Sequence, residues 1–112
     1  MSPGDITLGK IVQSDGRWKD RPLLLLREFP PFRDFIACAI SSQLRLEVEG
    51  VDEVITTRDA DFGTSGLKLP SLVRTVYLTS IPRSEIRGRL GAVSVERLSR
   101  ILRNLSAFFA RP

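Results

Sequence analysis

Apolar and polar residues alternate from Gly4 to Leu8 and the chain then turns apolar at Ile11 and Val12, a pattern that predicts a first strand over residues 4–12 entering a core. Leu23, Leu24, Leu25 and Leu26 show no alternation, so both faces of that strand are expected to be buried and the strand to lie centrally in its sheet. Residues 35–40 behave in the same way. Between these two runs stands Phe29-Pro30-Pro31-Phe32, a breaker that predicts a hairpin with a short loop. Residues 44–50 alternate again and residues 53–57 are rich in strand formers, and both are read as half-exposed strands. Residues 58–66, rich in Asp and Gly, are read as a loop, and Pro70 keeps residues 67–70 off any central ladder. Residues 71–81 form the last long strand, with Arg74 in its middle. Residues 82–85 are expected to turn, and residues 86–92 to form a short strand. From Ser94, a good helix cap, the period changes. Val95, Leu98, Ile101, Leu102, Leu105, Phe108 and Phe109 fall at helical spacing, with Arg97, Arg100 and Arg103 on the other side. Strands gathered first and one helix last predict a mainly β fold, a small antiparallel barrel with a C-terminal amphipathic helix packed on it.

The hairpin makes one chemical prediction. If the fold-back is symmetric about Pro31, residues whose numbers sum to about 62 face each other. Arg21 then stands opposite Ser41, a permanent cation beside a hydroxyl, and such a pair at the open end of a hairpin can hold an anion. Residues 13–20 are polar and carry Asp15-Gly16 turn chemistry, which places Arg17, Trp18 and Lys19 in an exposed loop. Two readings of Trp18 stand side by side: a lid folded over the barrel edge, or a platform on which a base stacks.

Composition narrows the chemistry. At 112 residues the chain is read as one domain spanning residues 1–112, and no apolar run approaches the roughly 20 residues that cross a bilayer. The amino terminus lacks the basic and apolar stretches of a secretory signal, and Cys38 is alone, so a cytoplasmic protein without disulfides is expected. The net charge is +4, and 14 of the 17 basic residues are Arg, the better partner for phosphate. From Arg74 to the end stand eight Arg against Glu85 and Glu96, which predicts a basic C-terminal third; a solvated surface of mixed charge is the alternative. With no His and a single Cys, the chain cannot build a Ser-His-Asp triad, a Cys-His pair or a common zinc site. Asp59 and Asp61 have no third ligand beside them and are read as solvated loop acids, so neither a metal nor a cofactor is expected. What remains is metal-free chemistry on a phosphate, in which Arg, Ser and Thr bind a phosphodiester and stabilise the charge that builds on it.

Several motifs, in order along nearly the whole chain, resemble those of the MazF/PemK (Kid) toxins. They are Gly4-Asp5 opening a strand, Arg21-Pro22 before an aliphatic strand, Ile40-Ser41-Ser42-Gln43 closing the next, residues 66–74, and the lead from Gly91 to Ser94 into a terminal helix. The resemblance implies an SH3-like or CcdB-like barrel, a homodimer, and a toxin restrained by a cognate antitoxin protein. It also implies metal-independent cleavage of single-stranded RNA by 2′-hydroxyl attack, leaving a 2′,3′-cyclic phosphate and a 5′-hydroxyl. Carried over residue by residue, Arg21 matches the family's catalytic Arg, Ser41 its catalytic Thr, Ser42 and Gln43 adjacent RNA-contacting positions, and Arg74 the second catalytic Arg of the Kid-like branch. Arg17, Trp18 and Lys19 would contact bases. Ser41 lacks the Thr methyl, so its rotamer is less fixed. Where the Kid-like branch has an Asp two residues after the second Arg, this chain has Val76. That leaves the general base unassigned, because a guanidinium is a poor proton acceptor at neutral pH; the resemblance also offers Arg21 itself for proton transfer, and Asp20 and Glu28 are local candidates. Three competing readings follow: Arg74 salt-bridged to Asp5 or Glu28, with Ser41 and Ser42 merely satisfying backbone groups; a binding module for nucleic acid or antitoxin that no longer cuts; and a CcdB-like gyrase poison.

Overall fold

The computed structural model describes residues 1–12 and 15–112. Its centre is one curled, six-stranded antiparallel sheet in the order β4-β5-β3-β2-β1-β6. The strands are β1 (Asp5–Val12), β2 (Trp18–Phe29), β3 (Asp34–Ser41), β4 (Glu53–Ile55), β5 (Ser71–Ile81) and β6 (Gly88–Ala92). A single helical turn, α1 (Phe62–Ser65), precedes β5, and α2 (Val95–Phe109) ends the chain. Single 3-10 turns occupy Leu44–Leu46 and Arg83–Glu85.

The four leucines explain the layering. Leu23 to Leu26 lie in a central strand, are at most 2% exposed, and feed two separate cores on opposite faces of the sheet. Leu24 and Leu26 join Ile6, Cys38, Ile40 and Val73 beneath Ile101 and Leu105 of α2. Leu23 and Leu25 join Phe35, Ala37 and Ile81 inside the curl. Closure of the curl depends on Gly9: a Cβ there would stand 2.7 Å from side-chain carbons of both Ile81 and Leu23. Gly66, in the left-handed region at φ 75°, ends α1, and a Cβ on it would strike the Leu90 carbonyl. Gly91 faces Thr64 and Ser65 with the same demand, so α1 and β6 meet backbone to backbone.

The hairpin register is the predicted one from Leu23 to Leu25, but the expected Arg21–Ser41 pair lies beyond the end of this ladder. Leu23 to Leu25 pair with Ala39 to Ala37, each pair summing to 62, and a bulge at Leu26 shifts the remainder by one towards the turn. Pairing with β3 ends at Leu23, so Pro22 costs that ladder no donor. Arg21 is paired in the backbone with Gly9 of β1 rather than with Ser41.

Three expectations need correction. Residues 44–50 are not a strand: the chain closes into a 3-10 turn at Leu44–Leu46, and it is β4 that pairs with Ser71, Leu72 and Val73 of β5. Of the loop expected over residues 13–20, residues 13 and 14 lie outside the described residues, and Trp18 and Lys19 belong to β2. Trp18 is 66% exposed, which overturns the lid reading. Finally, the arginine side of α2 is not all solvated. Arg97 is buried, while Val95 and Phe109 of the apolar stripe are exposed. Ser94 caps α2 as predicted, its Oγ accepting from Arg97 N–H at 3.1 Å.

Candidate functional site

On one face the curled sheet opens into a cleft of about 250 Å³. β2 contributes Arg21, the end of β3 contributes Ser41 with Gln43 just beyond it, and β5 contributes Arg74 and Tyr77. Ile11, Val12, Ala39, Ile40 and Leu46 supply apolar walls.

The shape of β5 is what brings Arg74 into this cleft beside Tyr77. Residues three apart on a regular strand point to opposite faces. Here Ala39 pairs with Arg74 but Cys38 pairs with Leu78, so Thr75, Val76 and Tyr77 bulge out of the ladder. The bulge turns Tyr77 to the same side as Arg74, and the guanidinium carbon sits 3.8 Å from the ring centroid. Asp52 pins the distortion from behind. Its carboxylate accepts from Thr75 N–H at 3.2 Å and from Val48 N–H at 2.9 Å, while the Thr75 hydroxyl donates to the Val51 carbonyl at 2.9 Å. Val76 turns the other way and packs against the core under α2.

Arg74 makes no ion pair among the described residues, and its Nε is buried without a hydrogen-bond partner. The salt-bridge alternative fails because both acids are engaged elsewhere: Asp5 pairs with Arg89 at 3.1 Å, and Glu28 with Arg33 at 2.9 Å and Arg83 at 3.0 Å. Ser41 Oγ accepts from Gln43 N–H at 3.1 Å, which fixes the oxygen at the strand end and leaves its hydroxyl proton to donate into the cleft. Gln43 Oε1 in turn accepts from Arg45 at 3.1 Å.

The structure therefore gathers Arg21, Ser41, Gln43 and Arg74 into one cleft. Ser42, Arg17 and Lys19 do not line it, and Trp18 lines adjoining concavities instead. Neither candidate base reaches it: Glu28 is held by its two arginines, and Asp20 stands 4.0 Å from Arg87. Tyr77 and Asp52 were not singled out from the sequence, since nothing in a strand-like stretch marks where a bulge will fall. Cys38 is no nucleophile. Burial, helped by the charge of Asp52, pushes its thiol up to about 12.

Asp59 and Asp61, read as solvated acids, instead anchor the helix. Asp61 accepts from Arg97 Nε at 2.8 Å and Nη2 at 3.2 Å and from Ser94 N–H at 3.0 Å. Arg97 also reaches Asp59 at 3.4 Å and Glu53 at 2.9 Å, and Arg100 grips Glu53 at 2.7 Å. Burial works to raise the Asp61 pKa, but the hydrogen bonds and charge of Arg97 outweigh it and hold the carboxyl below its usual range. Among the described residues no three acidic or sulfur side chains converge as a metal site would require.

A family profile described as "PemK-like, MazF-like toxin of type II toxin-antitoxin system" matches residues 2–109. Among solved structures, the Mycobacterium tuberculosis toxin MazF-mt6 superposes with a TM-score of 0.70 at 17% identity, over 96% of this chain and 98% of that one. At that identity the likeness is one of fold. No curated protein sequence matches.

Proposed function

The chain belongs to the PemK-like, MazF-like toxins of type II toxin–antitoxin systems, and from that premise we propose that it is an endoribonuclease acting on single-stranded RNA without a metal. The observation that carries this reading is the cleft in which Arg21, Ser41 and Arg74 converge, with an unpartnered Arg74 Nε buried in it. A buried guanidinium donor with no acceptor matches the oxygens of a phosphodiester.

In this reading Arg21 and Arg74 flank the scissile phosphate, Ser41 donates its hydroxyl proton as a hydrogen bond to a non-bridging oxygen, and Gln43 contacts the adjoining nucleotide. Arg17 and Lys19 lie outside the cleft and serve at most its approaches. The 2′-hydroxyl attacks phosphorus, the P–O5′ bond breaks, and the products carry a 2′,3′-cyclic phosphate and a 5′-hydroxyl. Two guanidinium groups stabilise the extra negative charge of the transition state. No carboxylate lines the cleft, so the attacking hydroxyl passes its proton to solvent and the leaving oxygen takes one from solvent. A homodimer and a cognate antitoxin belong to the same proposal.

The test is incubation of purified protein with mixed-sequence single-stranded RNA in EDTA. Fragments with cyclic-phosphate ends are expected, with Arg21→Ala slowing cleavage roughly 10²–10³-fold, the cost of removing one such donor. RNA left intact by an excess of the wild-type protein would refute the nuclease. The packing of a half-buried Val76 against the core and the lack of a cleft carboxylate favour one second reading. In it the protein binds RNA or its antitoxin without cutting, and salt-sensitive binding with no cleavage would mark it.

A further inference from the structure

Beyond Tyr77 the cleft adjoins two further concavities. The first, of about 230 Å³, shares Ile11, Val12, Ala39 and Tyr77 with the cleft and adds Lys10 and Trp18. The second, of about 580 Å³, shares Lys10 and Trp18 with the first and is completed by Ser84, Glu85, Ile86 and Arg87. The path thus runs past the chain's one Tyr and one Trp, 57% and 66% exposed. Large aromatic side chains are more often covered, and two left bare along one path form surfaces for another ring. The cations beside Trp18 are also open to a ligand. Lys10 makes no ion pair among the described residues, and Arg87, positioned by its backbone N–H donating to the Leu8 carbonyl at 2.8 Å, meets Asp20 only at 4.0 Å.

Resting on the reading of the cleft as the RNA-cutting site, we propose that the Trp18 concavity is a second subsite for the same single strand, where Trp18 stacks a base and Lys10 and Arg87 hold its phosphates. A stacking face flanked by cations fits a polyanion in which a ring and a phosphate recur at every unit, as in a single strand of RNA. Glu85 adds selectivity. Its carboxylate accepts hydrogen bonds and donates none, so it favours the exocyclic amine of cytosine, adenine or guanine over the two carbonyls of uracil, whose one donor on its pairing edge is N3–H.

Binding of 2′-O-methylated oligoribonucleotides of increasing length tests this, since they lack the attacking hydroxyl and remain uncut. Wild-type affinity should rise with length. Trp18→Ala should weaken the long members about ten-fold or more and leave the shortest unchanged, with Trp18→Phe restoring most of the loss. Lys10→Ala and Arg87→Ala should each reduce the salt slope of binding by about 0.7. Wild type should prefer cytidine oligomers to uridine oligomers, and Glu85→Gln should level the two. Length-independent binding, with Trp18→Ala unchanged, would overturn the subsite alone. A wild-type protein that binds no member of the series would overturn the RNA reading of the cleft and this subsite with it.

Discussion

Asp52 touches nothing in the cleft, yet the cleft is built on it. The side chain is 8% exposed and accepts two backbone N–H groups, and one of them belongs to the bulge that sets Arg74 over Tyr77. In Asp52→Ala both donors lose their acceptor, and a stability loss of about 1–3 kcal/mol is expected in denaturant titration, together with weaker RNA binding. A variant that melts and binds like wild type would show that the bulge holds without it. Arg21 and Ser41 were legible as a pair from the fold-back of the hairpin, whereas Arg74 joined them only through the resemblance to the MazF/PemK toxins. Tyr77 was not legible, because residues three apart on a strand face opposite ways and only the bulge reverses that. Val76 was read as a lost base from the family pattern alone; half-buried, it packs against the core under α2, so apolar packing occupies that side of the strand.

The helix was legible in its extent and its cap but not in its polarity. Arg97 reads as solvent-facing because cations are almost never buried unless paired, and its partners lie 36 to 44 residues away in the chain, beyond any local pattern. Its side chain is 6% exposed and meets Glu53, Asp59 and Asp61, tying α2 to β4 and to the segment before α1. Removing one member leaves buried carboxylates without their cation, so Arg97→Ala should cost about 3–5 kcal/mol. Arg97→Lys should recover little, since an ammonium cannot grip Asp61 with two nitrogens. Chemical denaturation of the two variants checks both statements. The misread segment at residues 44–50 teaches the complementary lesson: alternation is a property of side chains and does not by itself bring the segment onto a neighbouring strand.

At the scale of the whole molecule, the expected basic C-terminal third is largely neutralised. Arg83, Arg87, Arg89, Arg97 and Arg100 all face carboxylates supplied by the first 61 residues, so the excess charge is dispersed, and Arg74 is the residue of that third that joins Arg21 in the cleft. The same pairing predicts how acid unfolds the protein. Asp61 and Glu28 both have lowered pKa values, Asp61 through Arg97 against the cost of burial and Glu28 through its hydrogen bond from Arg33. Their stabilising effect is therefore complete above the ordinary carboxyl pKa near 4 and is lost as pH falls through the lower folded values. Melting temperature should stay level from neutral pH to about 5 and fall below about 4, with a shallower fall in Arg97→Ala; a decline already present at pH 6 would contradict it. The strand order carries a last consequence. The sheet is bordered by β4, three residues long, and by β6, five residues long with Arg89 on it. Margins so brief offer a foreign chain little length along which to zip at β4 and β6.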